Sequence, residues 1–177
     1  MNSKTAVLVI DMLNDFLYGK LKCERCQRII PDVKKMIDRA HKKNLPVVYV
    51  CDRHIKTDRE FGKWPPHAIE GTEGAEIIDE LKPRKGDYVV PKRRYSGFFE
   101  TSLDLLLREL DVNEIILSGI LTDICVLHTA ADAFFRGYRI SIPRECTEAL
   151  SDRAKDYAFK FMEEMYGANI VSLDELL

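Results

Sequence analysis

Residues 5–11 read Thr-Ala-Val-Leu-Val-Ile-Asp, a run of apolar side chains that ends abruptly in a carboxylate. An unbroken apolar run of this length is typical of a strand that is buried on both faces of a parallel sheet. A carboxylate at the end of such a strand needs a partner, because an unpaired buried charge is costly. This stretch therefore predicts the class of fold and marks Asp11 as a candidate functional residue.

The rest of the chain alternates short apolar runs with longer amphipathic segments. The pattern predicts strands at residues 5–10, 46–51, 87–91, 114–118, 138–142 and 169–171. It predicts helices at residues 31–43, 74–81, 102–110, 123–136 and 151–166. Alternation of this kind places helices on both faces of a parallel sheet. We therefore expect an α/β protein with a single domain over residues 1–177.

The composition limits the partners and the surroundings that the protein can have. The 177 residues (20.4 kDa) carry 27 Lys+Arg against 29 Asp+Glu, which gives a net charge of −2. This balance disfavours binding to nucleic acid or to acidic membranes, since such binders are usually basic. The apolar run at residues 6–10 is too short for a signal sequence or a membrane span. We expect a soluble cytoplasmic protein.

The cysteines favour a reducing compartment. There are five of them, an odd number at low density, which argues against a disulfide scaffold. Cys23 and Cys26 form a C-x-x-C pair, but the strand-to-helix context of a thioredoxin-type motif is missing. We therefore assign no function to this pair.

Polar residues of interest follow several of the predicted strands. Asp11, Cys51-Asp52, Lys92 and the turn at residues 119–125 all come where a strand ends. Ligands of such folds bind beyond the carboxyl ends of the strands. These residues are therefore expected to meet at one rim of the sheet.

Residues 117–125, Leu-Ser-Gly-Ile-Leu-Thr-Asp-Ile-Cys, run from a strand through a tight turn into a helix. Cys125 would lie in the first helical turn, where the helix dipole and a nearby lysine stabilise a thiolate and free N–H groups can hold an oxyanion. Asp11 could take the thiol proton, and Lys92 could pair with Asp11. The alternatives are a small buried structural cysteine and a structural ion pair.

A candidate metal site follows the second strand. Asp52 and His54, separated by one residue, can bind a single ion from an extended strand end, and His67 can complete the set. Asp58 or Glu60 could supply a fourth ligand. Imidazole and carboxylate ligands suit Zn, Fe or Mn. The alternative is that these loop histidines bond to the backbone.

Five ordered segments resemble the isochorismatase-like cysteine hydrolases, and within them the nicotinamidases/pyrazinamidases and related amidases: residues 9–16, 52–54, 64–72, 92–98 and 119–125. The resemblance implies a three-layer α/β/α fold with a six-stranded parallel sheet. It implies a catalytic triad of Asp11, Lys92 and Cys125. It also implies a cis peptide bond between Ile120 and Leu121, with an oxyanion hole formed by the backbone N–H groups of Leu121 and Cys125.

The resemblance also implies a cofactor and a set of substrate contacts. One divalent metal ion, zinc with iron or manganese as alternatives, would bind to Asp52, His54 and His67, with Glu60 as a variable fourth ligand. The expected substrate contacts are Phe16, Trp64, Tyr95 and Ile120. In this chain Tyr95 follows Lys92 after only two residues, whereas nicotinamidases often have a longer stretch there. The position of Tyr95 over the substrate is therefore left open.

The activity implied is that of a metal-assisted cysteine amidohydrolase that converts nicotinamide and water to nicotinate and ammonia through a Cys125 thioester. One alternative is an N-carbamoylsarcosine or ureido amidase of the same superfamily, although such relatives generally lack the metal residues. Another is a flavodoxin-like binding module, which would have no reactive thiol. A small amide is the expected partner, with no nucleic acid and no membrane. Relatives commonly form homodimers or homotetramers.

Overall fold

A parallel β-sheet forms the centre of the computed structural model, which describes residues 4–177. Its strands are β1 (Thr5–Ile10), β2 (Val47–Asp52), β3 (Tyr88–Lys92), β4 (Glu114–Ile120), β5 (Arg139–Pro143), β6 (Thr147–Glu148) and β7 (Asn169–Val171). Six of them run in the order β3-β2-β1-β4-β5-β7, and the two-residue β6 pairs with β4 beside this path. The predicted six-stranded parallel sheet is confirmed, with one short additional strand.

Strand β1 occupies the middle of the sheet because its side chains are apolar on both faces. It pairs in parallel with β2 on one side and with β4 on the other. Its residues 6–10 are completely buried. Burying an aliphatic side chain of this size contributes about 1.5–3 kcal/mol, so the strand is an important part of the core.

Helices cover both faces of the sheet. They are α1 (Asn14–Leu17), α2 (Ile30–Lys42), α3 (Leu103–Glu109), α4 (Leu127–Phe135), α5 (Asp152–Tyr166) and α6 (Leu173–Leu176). One apolar core joins the sheet to α3, α4 and α5, and a second core joins the opposite face to α2 and α6. The predicted three-layer α/β/α architecture is therefore confirmed.

The helix predicted at residues 74–81 is wrong. Two short 3₁₀ turns, Glu73–Ala75 and Asp79–Leu81, flank an extended segment there. Ile77 forms an antiparallel bridge with Leu13, and neighbouring backbone groups bond to the segment that follows β1. Pairing with a distant part of the chain has replaced the local helical hydrogen bonds, which periodicity in the sequence does not reveal.

The C-x-x-C pair also differs from its expected reduced state. Cys23 and Cys26 are joined by a disulfide, and both are buried against the core that contains α2. Cys51, Cys125 and Cys146 are free and buried. No helix within residues 4–177 combines the length and apolarity needed to cross a bilayer.

Candidate active site

The site forms where four neighbouring strands end. Asp11 follows β1, Asp52 and Lys92 are the last residues of β2 and β3, and Ile120 is the last residue of β4. These four strands are adjacent in the sheet, so the side chains meet at one rim.

The close approach of β1 to β4 depends on a glycine. Gly119 has φ +96° and lies opposite Ile10 in the strand pair. A Cβ atom at position 119 would lie 1.9 Å from the carbonyl oxygen of Ile10. Only glycine fits this position, both because of the backbone angle and because of the neighbouring backbone. The next residue after Ile10 is Asp11, itself at φ 53°.

The ammonium group of Lys92 links the other two residues of the predicted triad. Its Nζ atom lies 2.8 Å from Oδ2 of Asp11 and donates to Oδ1 of Asp52 at 2.6 Å and to Sγ of Cys125 at 3.6 Å. All four side chains are buried. The structure thus brings together Asp11, Lys92 and Cys125, which we call the catalytic cluster, from three distant parts of the sequence.

Asp11 has the properties of a general base that works near neutral pH. Burial, reinforced by the negative charge of Asp52 and opposed by Lys92, raises the pKa of Asp11 to about 6. Oδ1 of Asp11 accepts a hydrogen bond from the backbone N–H of Asp52 at 2.8 Å, which fixes the carboxylate. A base with a pKa close to the working pH is efficient in proton transfer.

Lys92 remains charged although it is completely enclosed. Burial by itself lowers the pKa of Lys92, but Asp11 and Asp52 outweigh this effect and raise the pKa well above its ordinary value. Burial likewise opposes ionisation of Asp52, whereas Lys92 holds the pKa of Asp52 below its usual range. Each charge in the cluster is thus stabilised by an opposite charge.

The resting state of Cys125 differs from the thiolate that the sequence predicts. Burial raises the pKa of the Cys125 thiol well above its ordinary value, and the charges of Asp11 and Asp52 act in the same direction against Lys92. Burial therefore favours the neutral thiol in the resting site. The helix terminus and the lysine favour the thiolate, but the loss of water around the sulfur opposes it and has the larger effect. The thiol must lose its proton as it attacks.

The turn that carries Cys125 confirms a backbone feature implied by the family resemblance. The peptide bond between Ile120 and Leu121 is cis. A π-helical turn, Thr122–Val126, follows and leads into α4. Thr129 on α4 donates its hydroxyl to the carbonyl oxygen of Cys125 at 2.7 Å, which ties the turn to the helix. Such π turns are frequent at functional sites.

A second set of side chains could hold a metal ion, and we call it the metal-donor group: Asp52, His54 and His67. Their donor atoms all lie within 4.8 Å of one another. His67 Nδ1 lies 2.7 Å from the carbonyl oxygen of Pro65, so this nitrogen carries the hydrogen and leaves Nε2 free to coordinate. Nε2 of His54 is buried without a hydrogen-bond partner among residues 4–177. Two imidazole nitrogens and a carboxylate fit a zinc, iron or manganese ion.

Glu60 and Asp58, the candidates for a fourth ligand, do not join the metal-donor group within the described chain. Glu60 belongs to the 3₁₀ turn Arg59–Gly62 and lines the neighbouring cavity. Burial, together with the charge of Asp52, raises its pKa. The carboxylate of Asp58 lies behind His54, against the other ring nitrogen.

A cavity of about 350 Å³ opens beside the catalytic cluster. Its wall includes Asp11 and Cys125, and also Asp52 and His67 of the metal-donor group. All four predicted substrate contacts line it, namely Phe16, Trp64, Tyr95 and Ile120, as does Leu121 of the predicted oxyanion hole. A cavity of this size suits a small molecule.

The position of Tyr95, left open by the sequence, is defined by Trp64. The indole Nε1–H of Trp64 donates to the hydroxyl oxygen of Tyr95 at 3.0 Å, so the two rings form one wall of the cavity. Phe16 lies against the metal-donor group, with its ring centroid 5.3 Å from that of His67. The aromatic lining is suited to a flat, partly apolar substrate.

Several residues at the cavity were not predicted from the sequence. Ile124 lies in the turn that carries Cys125, and its position at the cavity could have been inferred from the helical spacing. No local signal identified the others, because loops bring them to the mouth of the cavity from elsewhere: Lys20, Leu21, Lys22 and Leu150.

A buried cysteine, lysine and aspartate thus meet at the rim of a parallel sheet, beside a cavity that suits a small molecule. The family model described as the isochorismatase domain matches residues 5–175. The chain therefore belongs to the isochorismatase family, and a hydrolase role agrees with its solved relatives.

Three of these solved relatives illustrate how similar the folds are. The chain is 39% identical to N-carbamoylsarcosine amidase of Thermoplasma acidophilum, over 97% of each chain, with a TM-score of 0.90. It is 34% identical to nicotinamidase/pyrazinamidase PncA of Bacillus subtilis, over 96% of this chain and 100% of that one, with a TM-score of 0.90. It is 28% identical to pyrazinamidase of Pyrococcus horikoshii, solved in complex with zinc. The match covers 96% of this chain and 99% of that one, with a TM-score of 0.90.

Proposed function

We propose that the protein is a metal-assisted cysteine amidohydrolase that converts nicotinamide to nicotinate and ammonia. The observation that carries this proposal is the composition of one cavity wall. That wall combines Asp11 and Cys125 of the catalytic cluster with Asp52 and His67 of the metal-donor group. It also includes the aromatic rings of Phe16, Trp64 and Tyr95. The relatives named as nicotinamidase or pyrazinamidase, one of them in complex with zinc, support the same choice.

The chemistry proceeds in two halves. Asp11 accepts the proton of the Cys125 thiol as the sulfur attacks the amide carbonyl carbon, and the N–H groups of Leu121 and Cys125 hold the oxyanion. When the intermediate collapses, the C–N bond breaks and Asp11 returns its proton to the leaving ammonia. Water then attacks the thioester with Asp11 as base, which releases the acid and restores the thiol.

The protein groups around this reaction have separate tasks. Lys92 keeps the charged cluster together, and Phe16, Trp64 and Tyr95 pack the ring. A divalent ion on the metal-donor group would supply a Lewis acid that orients a ligand such as a pyridine nitrogen.

The test is a substrate panel scored by ammonia release. Nicotinamide and pyrazinamide should be hydrolysed by protein loaded with zinc, manganese or iron, and benzamide, which lacks the ring nitrogen, should be hydrolysed more slowly. Equal rates with nicotinamide and benzamide would contradict the role of the metal. No ammonia from any ring amide would contradict the substrate class.

A second candidate is hydrolysis of an N-carbamoyl or ureido compound. It is favoured by the 39% identity to the N-carbamoylsarcosine amidase. The same panel therefore includes N-carbamoylsarcosine and ureidoacrylate. Turnover of these compounds that is faster than turnover of nicotinamide, and that persists in His54→Ala, would favour the second candidate.

We also propose that the protein acts as a homodimer or homotetramer in solution. Light scattering on the purified protein measures this directly. A particle of 20.4 kDa, the mass of one chain, would exclude it.

A further inference from the structure

Asp58 is a buried carboxylate that the proposed reaction does not use. Its side chain is 1% exposed, and its Oδ2 atom lies 2.8 Å from Nδ1 of His54. The same oxygen accepts the backbone N–H of Ile55 at 3.2 Å, so the carboxylate is fixed relative to the loop that follows β2. Asp58 thus contacts the ring nitrogen of His54 that the metal-donor group does not use.

This contact determines which nitrogen of His54 carries the hydrogen. An ionised carboxylate can only accept, so Nδ1 must be the donor. In the neutral ring Nε2 then holds the lone pair. Nε2 is buried without a hydrogen-bond partner among residues 4–177, and it lies 3.5 Å from Oδ2 of Asp52. When the ring is neutral, it is therefore in the tautomer and orientation that a metal ligand requires.

Arg93 holds Asp58 from the other side. Its Nε atom donates to both carboxylate oxygens, at 3.1 and 3.2 Å, and its Nη2 donates to Oδ1. A planar guanidinium that grips a carboxylate in this way restricts its rotation as well as balancing its charge. Arg93 directly follows Lys92, so the support of His54 is continuous with the strand end that carries the catalytic lysine.

We propose that Asp58, held by Arg93, is a positioning residue for the metal site. It fixes the Nδ1–H tautomer and the orientation of His54, so that Nε2 is ready to coordinate. Ligating histidines commonly depend on such an outer carboxylate, and its loss typically reduces metal affinity 10–100-fold. The inference rests on the metal site of the proposed function but not on nicotinamide as the substrate.

Zinc affinity tests the proposal without any measurement of activity. Metal-free protein is titrated with Zn²⁺ in competition with a chromophoric chelator. Asp58→Ala should bind zinc roughly 10–100-fold more weakly than the wild type. Asp58→Asn should lose less zinc affinity, because its amide oxygen can still accept a hydrogen bond from Nδ1. The zinc affinity of Arg93→Met should lie between those of the wild type and Asp58→Ala. Should Asp58→Ala fail to fold, Asp58→Asn and Arg93→Met carry the comparison.

The matched control is a second buried aspartate that contacts a histidine. Oδ1 of Asp87 lies 2.7 Å from Nε2 of His41, and the Asp87 side chain is 4% exposed. Asp87 and His41 lie outside the metal-donor group. Asp87→Ala should therefore change thermal stability while leaving zinc affinity unchanged. An equal loss of affinity in Asp87→Ala and Asp58→Ala would show a general structural effect and overturn the proposal.

A spectroscopic readout separates positioning from loss of fold. Burial lowers the pKa of His54, but Asp52 and Asp58 outweigh this effect and raise it. Long-range ¹⁵N–¹H correlation spectra of the metal-free protein, recorded at a pH well above the ordinary pKa of histidine, therefore report the tautomer of the neutral ring. The wild type should show hydrogen on Nδ1, and Asp58→Ala should show a mixture. Unchanged tautomer and unchanged zinc affinity in Asp58→Ala would overturn the proposal while leaving the proposed function intact. Absence of zinc binding by the wild type would overturn it together with the metal site.

Discussion

Lys92 is the residue on which the charges of the site converge. Its ammonium group touches two carboxylates and a thiol, with no exposed surface on the side chain. A buried lysine without partners would lose its charge, and two buried carboxylates without a cation would repel each other. The cluster is therefore stable only as a unit, which explains how a reactive arrangement survives inside a protein core.

Replacing Lys92 should destabilise the protein as well as inactivate it. Lys92→Met leaves Asp11 and Asp52 uncompensated, and removing one partner from a buried ionic group typically costs about 3–5 kcal/mol. Denaturant unfolding measures the loss. The control is Lys4→Met, which breaks the exposed pair with Asp111 and should change the unfolding free energy by no more than about 0.5 kcal/mol. Equal effects of the two substitutions would contradict the account.

We expect the pKa of Asp11 to set the acid limit of activity. Burial raises that pKa to about 6, and the carboxyl group can accept the thiol proton only when it is ionised. As the pH falls below about 6, kcat/KM should therefore decrease, approaching a tenfold loss for each pH unit. A pH–rate profile for ammonia release measures this limb. A profile that is flat from pH 7 to below 5 would show that Asp11 is not the base.

At the scale of elements, the junction of β1 and β4 places Asp11 beside the turn that carries Cys125. Gly119 permits this contact, because any side chain there would meet the backbone of Ile10. The end of β1 then delivers Asp11, and the neighbouring end of β4 delivers the turn with Cys125. The site is thus a consequence of strand pairing rather than of any one loop.

Gly119→Ala should disrupt this junction. The new methyl group would collide with the carbonyl of Ile10, so β1 and β4 must separate and the Asp11–Cys125 geometry must change. Gly137→Ala is the matched control, since Gly137 also has a positive φ (+80°) but has no neighbouring atom within 4 Å of the place where a Cβ would lie. Gly137→Ala should lose about 1–3 kcal/mol of stability through backbone strain alone and keep its activity. Gly119→Ala should lose more stability, because the collision adds to the strain, and it should also lose activity. Full activity of Gly119→Ala would contradict this role.

The elements that sequence reasoning recovered are those whose cause is local or periodic. The apolar run of β1 requires burial on both faces, and the strand ends then place Asp11, Lys92 and Cys125 on one rim. The missed features depend on distant contacts. The segment around Ile77 pairs with residues after β1 instead of forming a helix, and the resting charge of Cys125 depends on how much water the whole site excludes.

At the scale of the whole molecule, the metal-donor group links loops to the sheet. Asp52 ends β2, whereas His67 comes from the irregular segment that follows. An ion bound by both would favour the folded state over the unfolded chain, because only the folded state brings the donors together.

Zinc should therefore raise the melting temperature of the metal-free protein. At a free zinc concentration 100 times the dissociation constant, the stabilisation is about 2.7 kcal/mol. This corresponds to roughly 5–11 °C for a domain of this size. His54→Ala should lose the shift, whereas His128→Ala, at an exposed histidine on α4, should keep it. A full shift in His54→Ala would place the zinc elsewhere.

The central claim is that the sulfur of Cys125 attacks the amide, and a single substitution tests it most directly. Steady-state ammonia release from nicotinamide is compared between the wild type and Cys125→Ser, with Cys51→Ser as the control at another buried free cysteine. The account predicts loss of nearly all turnover in Cys125→Ser and retention of turnover in Cys51→Ser. Undiminished ammonia release by Cys125→Ser would contradict it.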